Sequence, residues 1–195
     1  LSTNSGVTVK GNVVTIATGT KYLDAEISYP KSNEFVKGLV LSEYYSWASD
    51  TEIFKMTDKT AGEIGLQEGM AYQYQAEYSF AEGNNTKSYV YDVYSFTAGA
   101  HGSAYKRVYS FDRENKQIDI AKTLTQTQLN KISKIAYSDI KNQMIKNLGA
   151  NSESQVEINT EWLTEGTSPK RSNYSVAWYD GDNLVLYFGQ YQVAP

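Results

Sequence analysis

From residue 70 to residue 80 the chain alternates without a break. Tyr72, Tyr74, Ala76, Tyr78 and Phe80 fall on one side; Gln73, Gln75, Glu77 and Ser79 fall on the other. A period of two is the pattern of a strand with one packed face and one wet face, because successive strand side chains point to opposite sides. A helix would scatter the same tyrosines around its axis. The aromatic set is therefore expected in the core. Gly83-Asn84-Asn85 then makes a turn, and residues 87–96 read as the next strand. The loop Ala98-Gly99-Ala100-His101-Gly102 follows. Residues 105–111 form a third strand, with Tyr105, Arg107, Tyr109 and Phe111 on one face. A polar turn at 113–116 leads to a fourth strand carrying Ile118 and Ile120. Strands joined by such short turns make an antiparallel meander.

The remaining chain surrounds this meander. Residues 7–16 predict two short strands around a Gly11-Asn12 turn, and 25–29 predict another strand, ended by Pro30. Ser32 or Asn33 is placed to cap a helix on which Phe35, Val36, Leu39, Val40, Tyr44 and Trp47 recur at helical spacing, running on toward Ile53 and Phe54. Gly62, Gly65 and Gly69 mark a loose connection. Thr125 and Gln128 form a capping-box pattern before a second helix. Its apolar stripe is Leu129, Ile132, Ala136, Ile140, Met144 and Leu148, closed by Gly149. A short helix is expected within 153–165. The chain closes with strands at 174–179 and 184–188 around Asp180-Gly181-Asp182-Asn183, extended by 190–195. The expected fold is α+β: an antiparallel sheet, made of the meander, the N-terminal strands and the C-terminal hairpin, packed with two main helices. Residues 1–110 are expected as an N-terminal lobe and 111–195 as a C-terminal lobe of one compact unit.

Composition narrows the function. The chain has 195 residues, 41% hydrophobic and 21% charged, enough to bury a core without covalent staples. A net charge of -4 argues against nucleic acid, which selects basic surfaces. With no cysteine, disulfides, thiolate metal sites and thiol catalysis are excluded. No apolar run approaches a membrane span. The chain opens on Leu1 without an initiator methionine, so it reads as trimmed, with room for an upstream signal or anchor.

No motif names a reaction. There is no nucleophile elbow, phosphate loop or dinucleotide fingerprint. The single histidine, His101, sits between Gly99 and Gly102. Those glycines suggest backbone angles that glycine alone adopts cheaply. As a catalyst His101 would need an orienting acid, and Asp92 and Asp112 are the nearest in sequence. The preferred reading is that His101 ties down its own loop. Asp180-Gly-Asp-Asn lacks the spacing and closing glutamate of a calcium loop and is explained by a turn. No metal site and no cofactor are expected. Tyrosine is abundant, with 17 copies, and supplies the remaining candidates for contact. Tyr89, Tyr91 and Tyr94 cannot all face inward, so at least one is expected at the surface. Trp178 and Tyr187 in the closing hairpin join them. The candidate binding set is Gly99, His101, Gly102, Tyr91, Tyr94, Trp178 and Tyr187.

Three patterns resemble a bacterial cell-envelope family of uncharacterised paired domains. One is Ile27-Ser28-Tyr29-Pro30 before a helix. Another is the tyrosine-rich strand, the Ala-Gly-Ala-His-Gly loop and a strand ending Tyr109-Ser110-Phe111-Asp112. The third is the closing hairpin with its final Tyr191-Gln-Val-Ala-Pro195. The likeness runs from about residue 24 to 195. Similar domains form the extracytoplasmic part of the lysozyme-sensing anti-sigma factor RsiV and the non-catalytic region ahead of the catalytic domain in PdaC-like peptidoglycan deacetylases. The family loop is commonly Gly-Gly-Ala-His, so Ala98 is expected to mark a less strained first position here. The resemblance implies an extracytoplasmic domain, secreted or membrane-anchored through a segment outside this chain. It implies a non-enzymatic binding or sensing role toward a peptidoglycan glycan or a wall-acting protein such as lysozyme. A wall hydrolase with a site around His101 is the alternative from another class, and a structural spacer is the third.

Overall fold

A computed structural model describes residues 4–147 and 160–193. By internal packing the chain divides into two units, residues 1–80 with 89–109 and residues 81–88 with 110–195. Residues 81–88, ascribed above to the first lobe, group with the second.

The first unit begins with a hairpin. Strand β1 (Asn4–Lys10) pairs antiparallel with β2 (Val13–Gly19) in unbroken register from Asn4 opposite Gly19 to Lys10 opposite Val13. Gly11 takes a φ of +59° in the two-residue turn, which a side chain would resist. Strand β2 pairs antiparallel with β3 (Leu23–Pro30), whose Leu23, Ala25, Ile27 and Tyr29 are buried at alternate positions.

Helix α1 (Glu34–Asp50) covers that buried face. Asn33 caps it, its side-chain oxygen accepting the Val36 N–H at 3.1 Å. Val36, Val40, Tyr44 and Ala48 recur every fourth residue and are buried. The helix stops short of Ile53, because Glu52 turns left-handed at φ +51° and Ile53–Lys55 form a single 3-10 turn. The connection expected to be loose contains helix α2 (Asp58–Glu63), started by a reciprocal Thr57–Thr60 capping box.

Strand β4 (Tyr72–Gly83) then lies beside β3 in parallel, Leu23 opposite Tyr72. An all-antiparallel sheet was the expectation. The two helices between β3 and β4 carry the chain back to the same end, which is what a parallel pair requires. Strands β5 (Thr86–Phe96), β6 (Ser103–Phe111) and the short β7 (Gln117–Ile118) complete a seven-stranded, mostly antiparallel sheet in order β1 to β7. Ile120 does not belong to the fourth meander strand. Asp119 accepts the Lys122 N–H and starts helix α3 (Ile120–Thr123) instead.

The second unit is built on helix α4 (Gln126–Asn147). The Gln128 side chain accepts the Thr125 N–H at 2.8 Å and the Thr125 hydroxyl accepts the Gln128 N–H at 3.3 Å. Leu124, Leu129, Ala136 and Tyr174 form its core, with Ile132, Leu184, Leu186 and Phe188 against them. Of the expected stripe, Leu148 and Gly149 lie outside the described residues; so do 153–159 of the expected short helix, which is seen as α5 (Thr160–Gly166). Tyr174 sits in a 3-10 turn, so the closing hairpin is shorter than expected: β8 (Ala177–Asp180) and β9 (Asn183–Leu186). They form a separate two-stranded sheet. Gly181, at φ +57°, serves the turn, and its N–H donates to the Glu82 carbonyl at 2.8 Å. Gly83 packs so closely on the Gly181 backbone that a side chain at 83 would overlap it.

Candidate functional site

The histidine loop is organised by its neighbours. Neither Gly99 nor Gly102 takes a positive φ; the left-handed residue is Ala98, at φ +61°. The first loop position is therefore the strained one, contrary to the expectation from the family pattern, since an alanine there meets its own backbone. Gly102 packs against the far end of the Tyr94 ring, which would have to shift to admit a Cβ at 102. His101 and Gly99 are exposed. The His101 Nδ1 lies 3.1 Å from the Gly102 carbonyl oxygen, and since a carbonyl only accepts, the contact requires the Nδ1–H tautomer. Asp92 pairs with Lys106. Asp112 is occupied in its own turn, accepting the N–H groups of Glu114 at 3.0 Å and Lys116 at 2.8 Å. Among the described residues no three His, Cys, Asp or Glu side chains gather as a metal site would need.

A polar centre of the first unit joins helix α1 to strand β6. Glu43 takes three side-chain hydrogen bonds from one face of β6. Its Oε1 accepts from Arg107 Nε at 2.7 Å and Tyr105 Oη at 3.1 Å, and its Oε2 accepts from Tyr109 Oη at 3.1 Å. Alternation put Tyr105, Arg107 and Tyr109 on one face; the carboxylate that receives them comes from α1 and was not foreseen. Burial first, and then the Glu43 charge, push the Tyr105 phenol up to about 12 and Tyr109 higher still. Burial likewise raises Tyr74 and Tyr91. These phenols stay protonated near neutrality and do not exchange protons there, and Tyr105 and Tyr109 serve Glu43 as donors. Tyr74 sits near Tyr105 but outside hydrogen-bond geometry, and the buried hydroxyls of Tyr74 and Tyr91 have no hydrogen-bond partner among the described residues.

From Glu43 an aromatic ladder runs across three strands. Tyr109 meets Tyr91 edge-on with ring centres 5.6 Å apart. Tyr91 meets Tyr78 at 5.5 Å, Tyr78 meets Tyr89 at 5.7 Å, and Tyr89 meets Phe80 at 5.3 Å. The Asn33 side chain that caps α1 also donates to the Tyr89 hydroxyl at 3.4 Å. From Tyr91 outward, burial falls along the ladder. Tyr91 is 0% exposed and offers no surface to a ligand, Tyr78 and Tyr89 are half-buried, and Phe80 is 50% exposed. Phe80 was expected in the core. Alternation gives it the same side as Tyr74, but it stands near the end of β4, where burial has already fallen away.

Of the seven candidate residues, the first unit holds Gly99, His101, Gly102, Tyr91 and Tyr94. It joins Gly102 to Tyr94 and sends Tyr91 into the ladder. Trp178 and Tyr187 belong to the second unit, both half-buried. Tyr187 lines a cleft of about 720 Å³ with Ile132, Ile140, Leu184 and Phe188. Glu43, Asn33 and Phe80 escaped the sequence reading as site residues. Phe80 carried a signal as the last aromatic of the alternating strand, Asn33 only as a helix cap, and Glu43 none.

No protein-family model matches the chain. Its fold is that of a solved class: a member of the DUF3298 family from Bacteroides fragilis matches 100% of this chain and 85% of its own, with a TM-score of 0.52 and 16% identity. A DUF3298 family protein from Pseudomonas aeruginosa PAO1 matches 80% of this chain and 71% of its own, with a TM-score of 0.39 and 12% identity. In sequence, 112 residues, 56% of the chain, are 32% identical to the peptidoglycan-N-acetylmuramic acid deacetylase PdaC of Bacillus subtilis (strain 168). The match covers 22% of that protein, so the chain spans about a fifth of the curated relative it matches.

Proposed function

We propose that this chain is a non-enzymatic, extracytoplasmic domain of the bacterial cell envelope that binds or senses wall material or a protein acting on it. The observation that carries the reading is the open end of the aromatic ladder, where Phe80 is half-exposed against Tyr89. Aromatic faces at a surface stack on the apolar faces of sugar rings and anchor protein partners with little loss of side-chain freedom. The tie from Asn33 to Tyr89 holds that end in place before a ligand arrives. Similarity to about a fifth of a peptidoglycan deacetylase supports a wall setting. The shared portion is proposed to be what brings such a protein to the wall. Among wall-acting proteins, a c-type lysozyme, basic where this chain carries a net charge of -4, is the first protein partner to test.

Calorimetric titration with c-type lysozyme and with solubilised peptidoglycan fragments, each at low and raised salt, tests the proposal. A saturable complex that survives salt is expected with one of them, weakened at least tenfold in Phe80→Ala. No heat with either, or heat abolished by salt, overturns it, because an acidic chain and a basic partner associate weakly without specificity.

A further inference from the structure

Strand β1 is the outermost strand of the seven-stranded sheet, with β2 on one side and no strand on the other among the described residues. It has none of the devices that protect an edge. It contains no proline, its register with β2 runs without a bulge from Asn4 to Lys10, and its only charge is Lys10 at the end. Every residue from Ser5 to Lys10 is exposed, and Val7 and Val9 are 66% and 53% exposed on one face of the strand.

The backbone of this edge is arranged for a partner. The turn after β1 has two residues, Gly11 at φ +59° and Asn12 without a positive φ, the pattern of a type II′ turn. Such a turn closes on a hydrogen-bonded pair, here Lys10 with Val13. Hydrogen-bonded pairs then recur at every second residue, so Lys10, Thr8 and Gly6 bond to β2. Ser5, Val7 and Val9 turn their N–H and C=O groups outward. The residues with outward donors and acceptors thus include both exposed valines.

We infer that β1 pairs antiparallel with β1 of a second copy of this chain about a two-fold axis at Thr8, joining two seven-stranded sheets into one. The sequence Val7-Thr8-Val9 is its own complement in that register. Val7 of each copy stands opposite Val9 of the other, and the two pairs exchange four backbone hydrogen bonds. The four valines cover one another on one face, and the two Thr8 side chains meet on the opposite face as a pair without backbone bonds between them. Lys10 stands opposite Gly6, so no like charges face each other. Shifting the axis to Val7 or to Val9 sets only one valine against another and loses this match.

Sedimentation equilibrium over a wide concentration range tests the pairing. The mass is expected to rise from one chain toward two. A Val9→Pro variant removes an outward donor and leaves the bonds to β2, so it is expected to weaken association at least tenfold with an unchanged urea midpoint. Val9→Lys serves the same purpose if the proline disturbs the strand. Because the chain has no cysteine, Thr8→Cys reports the axis directly. Residues paired without backbone bonds lie about 4.5 Å apart at Cα, within reach of a disulfide. A mild oxidant is therefore expected to link Thr8→Cys chains much faster than Lys10→Cys chains. A mass of one chain at every concentration, equal linking rates, or association untouched in both Val9 variants overturns the inference.

Discussion

Arg107 Nε donates to Glu43 Oε1 at 2.7 Å and ties the middle of β6 to the middle of α1. The two ends of the pair differ, the Arg107 side chain being 53% exposed and that of Glu43 20%. The guanidinium keeps much of its water, whereas the carboxylate depends on its three donors. Removing the acceptor therefore costs more than removing the cation. Glu43→Ala is expected to lower stability by about 2 kcal/mol, because it strands two sheltered tyrosine hydroxyls. Arg107→Ala is expected to cost about 1 kcal/mol or less, as for a solvent-exposed ion pair. Urea unfolding of both variants checks the order, and equal losses would refute the asymmetry.

The tyrosines around Glu43 set an alkaline limit. Tyr105 is raised from 10.0 to about 12 in the folded chain. Between those values the folded state holds a proton that the unfolded state has released, so stability falls as pH rises. The contribution is complete below about pH 10, where both states are protonated, and is lost as pH climbs through the folded value. Tyr74, Tyr91 and Tyr109 shift in the same direction and steepen the fall. Urea midpoints measured from pH 9 upward should decline, and tyrosinate absorbance should lag behind that of the unfolded chain. Tyr105→Phe should flatten the decline.

The histidine loop yields two substitutions of opposite sign. Ala98→Gly relieves a left-handed alanine and should stabilise by about 0.5–1 kcal/mol. Gly102→Ala drives a methyl into the Tyr94 ring and should destabilise by about 1–2 kcal/mol. The second effect should shrink in a Tyr94→Ala background, since the ring is what the methyl meets. Thermal unfolding of the four variants completes the cycle.

Helix caps carry the remaining prediction. Thr125→Ala breaks the reciprocal bonds with Gln128 and should cost about 1 kcal/mol. Asn33→Ala removes the cap of α1 together with the Tyr89 contact, so it should cost at least as much. Only the second should also weaken binding at Phe80, which calorimetry with the wall ligand reads directly.

The features legible from the residues alone were local. The alternation through Tyr72, Tyr74 and Ala76, the caps at Asn33 and Thr125, the turn at Gly11 and the hairpin at Gly181 are all present in the structure. Each depends on sterics and hydrogen bonds within a few residues, so neighbouring residues suffice to read it. Which face meets which was settled by packing. It set β4 parallel to β3, brought Glu43 to Tyr105, Arg107 and Tyr109, and left Phe80 half-exposed while Tyr91 on the same ladder is buried. It also moved the strained backbone from the glycines to Ala98. Those outcomes turn on contacts between distant parts of the chain. A periodic strand records that one face will be covered, but not which side chain covers it or where along the strand the cover ends.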